Sequence, residues 1–77
     1  MPTFNTIPVA TYRKALKKLG LTHVRTKGGH EIWTRSDLGR DVVFSSHYKE
    51  VPGMHVKSNC TTLGLKPEIF MKLINTL

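Results

Sequence analysis

Apolar residues recur at Val9, Tyr12, Leu16 and Leu19, the i, i+3, i+7, i+10 spacing of one helical stripe, with Arg13, Lys14, Lys17 and Lys18 on the remaining surface. This predicts a helix that begins at Pro8, whose missing N–H suits a first helical position, and ends at Gly20. The period then drops to two. His23, Arg25 and Lys27 fall on one face and Val24 and Thr26 on the other, the alternation of a strand. Gly28 and Gly29 permit a tight turn through positive φ, and Glu31–Arg35 returns as a second strand. His30 thus stands at the mouth of a hairpin, on the face of Ile32 under strict alternation. After a turn at Ser36–Gly39, Arg40–Ser45 is a third strand, whose Val42-Val43-Phe44 run predicts cover on part of both faces. Ser46–Gly53, with Pro52-Gly53 and no period, reads as a loop. Met54–Leu63 can form a helix through Val56, Cys60 and Leu63, with Asn59, Thr61 and Thr62 leaving it dependent on packing, and Gly64 ends it. Pro67 and Glu68 open a last helix with Ile69, Phe70, Leu73, Ile74 and Leu77 on its apolar side. Residues 1–7 show no period and read as a loose lead-in.

Consecutive strands joined by short turns pair antiparallel, and the helices then have one face of the sheet to cover. The expected architecture is a single α+β two-layer domain over residues 1–77, of αβββα(α) order, with a three-stranded antiparallel sheet. Twelve Lys and Arg against five Asp and Glu give a formal charge of +7, a field that suits a phosphate backbone or an acidic protein surface. No apolar run approaches a membrane-spanning length, and Met1-Pro2-Thr3 opens no secretory signal. The lone Cys60 has no internal disulfide partner, which fits a reducing cytoplasm.

At Gly28-Gly29-His30-Glu31-Ile32-Trp33 the chain resembles the HicA, or YcfA-like, family of bacterial toxins. The likeness continues through Ala15–Gly20, Val42–His47 and Leu63–Glu68. The resemblance implies a fold like that of double-stranded-RNA-binding domains and a cytoplasmic, ribosome-independent mRNA interferase neutralised by a HicB-type antitoxin. It also implies that the motif's histidine, His30 here, is essential for cleavage. Gly29 stands where many relatives carry serine, and Val51–His55 where many carry a Gly-Thr pair at a helix start.

RNA supplies its own nucleophile, so a ribonuclease needs a base for the 2′-hydroxyl, charge stabilisation at phosphorus and a proton for the leaving oxygen. An imidazole at His30 is the expected base, without a metal or other cofactor. Lys27, Arg25 and Arg35 are expected to flank it and hold phosphate. Gly28 and Gly29 leave room for RNA, and Lys14 and Lys17 add positive charge from the first helix. His47, at the end of the third strand, is the candidate second acid or base, and His23 and His55 are expected at the surface. Trp33 is expected in the core rather than stacked on a base. No two histidines are spaced as helical metal ligands and no CxxC is present, so no metal site is expected. A non-catalytic RNA-binding module using the same cations is the main alternative, and a basic subunit directed at an acidic protein is the third.

Overall fold

The Gly28-Gly29 pair closes a two-residue hairpin, with φ of +57° and +80° as a type I′ turn requires. In the computed structural model, which describes residues 6–77, this turn joins β2 (Thr22–Lys27) to β3 (His30–Thr34). A third strand, β4 (Val42–Ser45), pairs antiparallel with β3, so that β3 is central. The preceding helix α1 (Val9–Lys18) buries Val9, Tyr12, Ala15 and Leu16, and the chain reverses at Gly20 with φ +86°. Helices α2 (Gly53–Leu63) and α3 (Pro67–Asn75) complete the α+β fold, and a left-handed Gly64 caps α2. The expected sheet, its strand order and all three helices are therefore present.

Four expectations about the chain are corrected. Ile7–Pro8 forms a two-residue strand, β1, paired with β5 (Glu50–Val51), so Ile7 is a buried anchor rather than part of a loose lead-in. Residues 1–5 of that lead-in lie outside the described residues. The same ladder gives structure to part of the Ser46–Gly53 segment, and Pro8 is extended at ψ 137°, so it precedes the helix instead of opening it. The expected cover on part of both faces of β4 is found, with Ser45 buried and Val43 43% exposed on the open face. Finally, the alternation of β2 breaks. His23 pairs with Trp33 and Arg25 with Ile32, leaving Val24 as an extra residue in a β-bulge.

Directly paired residues in an antiparallel sheet point to one face. Thr26, Glu31 and Phe44 thus share the covered face, as do His23, Trp33 and Val42 beyond the bulge. Lys27, His30 and Ser45 form one row of the open face, and Arg25, Ile32 and Val43 the next. Under the covered face, the Tyr12 ring meets Phe44 edge-on at 4.8 Å and Phe70 at 5.7 Å, tying α1 to the sheet and to α3. Asn59 of α2 donates from Nδ2 to the Tyr12 hydroxyl at 3.0 Å and to the Val43 carbonyl at 3.1 Å, which seats α2 against the free edge of β4. Burial raises the Tyr12 phenol well above its ordinary range, so it stays neutral.

Candidate active site

His30 is the first residue of β3, and its exposed imidazole is held by the turn that precedes it. Its Nδ1 lies 3.3 Å from the Gly28 carbonyl oxygen. A carbonyl has no hydrogen to give, so Nδ1–H is the donor in this contact, and Nε2 is the nitrogen left to meet a substrate. The turn itself is tied to β4, since the Gly29 carbonyl accepts from both the Ser46 amide at 2.8 Å and the Ser46 hydroxyl at 3.1 Å. His47 packs its ring on Gly29 so closely that an added Cβ would overlap it. A side chain at position 29 would sit on left-handed backbone and would require the His47 ring to move.

Register places Lys27 directly opposite His30 and Arg25 on the next row of the same face, both exposed. Among the described residues neither is in an ion pair. The bulge at Val24 turns His23 to the other face while keeping both cations with His30. There His23 lies against Trp33 at 5.4 Å and contacts the Thr26 hydroxyl at 3.0 Å.

The remaining cations are elsewhere. Arg35 follows the last residue of β3, the opposite end from His30, about 16 Å away along a strand rising about 3.3 Å per residue. It clamps the Asp37 carboxylate through Nε and Nη2 and donates from Nη1 to the Leu19 carbonyl at 2.6 Å, joining the end of α1 to the second turn. It does not flank His30. Lys14 and Lys17 are exposed on α1. That helix meets β3 through Arg13 and Glu31, on the side away from His30, so these lysines add to the general field rather than to the His30 surface.

Glu31, which the sequence marks only as the start of a strand, is a structural residue just 3% exposed. It accepts from Arg13 Nε at 3.1 and 2.9 Å, from Arg13 Nη2, and from the Trp33 indole N–H at 3.1 Å. The Arg13 hydrogen bonds, helped by the indole, hold its carboxyl below the usual range against the opposing effect of burial. The signal was available, because alternation from an exposed His30 sends Glu31 inward, and a buried carboxylate requires a cation. Trp33, at 2% exposure, is a core residue and offers no stacking surface.

A groove of about 220 Å³ runs beside the edge of β4, lined by His30, Val43 and Phe44 from the sheet and by His55, Ser58 and Asn59 from α2. His55 is therefore exposed, as expected, but it also faces the groove that His30 lines. Periodicity in α2 could not reveal this, because it depends on how the helix sits against β4. Among the described residues no three His, Cys, Asp or Glu side chains gather as metal ligands, and no helix is long and apolar enough to cross a membrane.

A family model described as the HicA toxin of bacterial toxin–antitoxin systems matches residues 11–65, a span from α1 through the end of α2 that contains His30, Lys27, Arg25, His47 and His55. No curated protein and no solved structure matches the chain.

Proposed function

The chain belongs to the HicA toxin family, the toxin half of bacterial toxin–antitoxin systems, and on that premise we propose that it is a cytoplasmic endoribonuclease that cleaves mRNA with His30, without a metal, and is neutralised by a HicB-type antitoxin. His30 Nε2 removes the proton of a ribose 2′-hydroxyl. The oxygen attacks the adjacent phosphorus, the bond to the 5′-oxygen breaks, and the products carry a 2′,3′-cyclic phosphate and a 5′-hydroxyl. Lys27 and Arg25 balance the charge that develops on the phosphoryl oxygens. The observation that carries this reading is the open sheet face, on which an exposed His30 with its Nδ1 against Gly28 shares one surface with two cations outside any ion pair among the described residues.

The test compares the protein with His30→Ala on end-labelled single-stranded RNA in EDTA, with products run beside an alkaline ladder. Cleavage by the parent with cyclic-phosphate ends, reduced about 10²–10⁴-fold or more in the variant, is the expected result. If both proteins are folded and bind the RNA but neither cuts it, the domain is instead an RNA-binding module using the same cations.

A further inference from the structure

We infer that His55 is the proton donor to the leaving 5′-oxygen, working across the groove from His30. The inference rests on the ribonuclease reading and adds its second half. A departing alkoxide needs a proton, and the attacking and leaving oxygens lie roughly in line on opposite sides of phosphorus. The acid must therefore face the base across the phosphate rather than stand beside it.

The groove along β4 brings side chains from two elements to one space. His30 lines it from the sheet and His55 lines it from the first turn of α2. The other polar liners are poorly suited to donate. Ser58 is an alcohol, a weak acid, and the Asn59 amide is engaged by Tyr12 and Val43. The same Asn59 contacts fix the distance between α2 and β4, while Val56 and Cys60 anchor the inner side of the helix in the core. His55 is thus carried on a rigid support while its side chain stays exposed. His47, the candidate from sequence, packs on Gly29 of the hairpin turn and is not among the groove's lining residues. It stands against the turn that carries His30.

The step balances without a further reactant. The 2′-hydroxyl proton passes to neutral His30, the 2′-oxygen–phosphorus bond forms, the phosphorus–5′-oxygen bond breaks, and the proton of the His55 imidazolium passes to the 5′-oxygen. His30 ends protonated and His55 neutral, and exchange with water restores both.

The test uses two RNAs of one sequence, one of them with sulfur replacing the bridging 5′-oxygen at the cleavage position. A thiolate leaves without a proton. His55→Ala and His55→Gln should cut the ordinary RNA about 10²–10⁴-fold more slowly than the parent and the sulfur RNA at close to the parent's rate. His30→Ala should be slow on both. Since His55 is exposed, its replacement opens no cavity, and thermal melting checks that the variants fold. The assignment is overturned if the His55 variants cut ordinary RNA at the parent's rate, or lose equally on both substrates, as a binding or structural residue would. It is also overturned if His47→Ala, and not His55→Ala, is the variant recovered by sulfur. A parent protein that cuts neither RNA removes the ribonuclease reading itself, an outcome distinct from failure of the His55 variants alone.

Discussion

His30 and Glu31 are adjacent in the chain, and the two faces of β3 give them opposite surroundings. Glu31 is buried with its carboxylate fully engaged by Arg13 and Trp33. His30 is exposed, holds one local hydrogen bond, and has Lys27 and Arg25 beside it outside any ion pair among the described residues. The covered face settles its charges internally because an unpaired carboxylate there would lose hydration without compensation. On the open face water solvates the cations, so their charge remains available to an anionic ligand. One strand separates a structural ion pair from an exposed basic surface by the width of a peptide.

The largest stability change should come from emptying the covered face. Trp33→Ala removes a large buried ring and one partner of Glu31, and should cost about 3–5 kcal/mol, read as a lowered urea midpoint with the slope unchanged. An equal loss from Ile32→Ala, on the half-buried open side, would break the contrast between the faces.

Arg13→Ala comes next. It leaves a buried carboxylate without its main partner, but Arg13 is itself half exposed and water screens part of the pair, so about 2 kcal/mol is expected. The pH dependence has a definite sign. Because the folded carboxyl is held below its unfolded value, the unfolded state binds more protons between the two values, and stability rises with pH there. The contribution is fully present above the ordinary glutamate range and is lost as pH falls through the lowered folded value. Denaturation curves from about pH 3 to pH 7 should show this rise in the parent and a weaker one in Arg13→Ala. Parallel curves would mean that Arg13 does not set the Glu31 carboxyl.

The smallest stability effect is expected on the open face. Lys27→Ala and Arg25→Ala should change stability by no more than about 0.5 kcal/mol. Each should lower the slope of log affinity for RNA against log salt by about one. Lys14→Ala, on the other side of the molecule, should change that slope less, and an equal change would spread the RNA contact beyond the sheet face.

Much of this fold was legible locally. The Val9–Leu19 stripe, the Gly28-Gly29 turn and the Pro67 helix start each depend on residues a few positions apart, so spacing alone reveals them. The β1–β5 ladder did not announce itself, because two residues are too few to show a period and Ile7 meets Val51 across most of the domain. The Val24 bulge was equally hidden, since the strict alternation of His23–Lys27 is that of a regular strand, and only pairing to β3 shows the extra residue. Arg35 looked like a neighbour of His30 because five positions along the chain is a short count. In an extended strand that count is the full length of the element, and the side chain found Asp37 and Leu19 instead.

By itself the sequence determined the order of the three-stranded sheet and its helices and the tight turn, since these follow from period and backbone freedom, and the resemblance to the HicA family singled out His30 as the candidate reactive side chain. Tertiary structure decided which cations stand beside His30, that Glu31 is an internal anchor, and that His55 lines the same groove as His30 while His47 packs on Gly29. Those are relations between faces and edges of different elements. They are set by strand register and by the seating of α2 on β4 through Asn59, and no spacing along one chain records them.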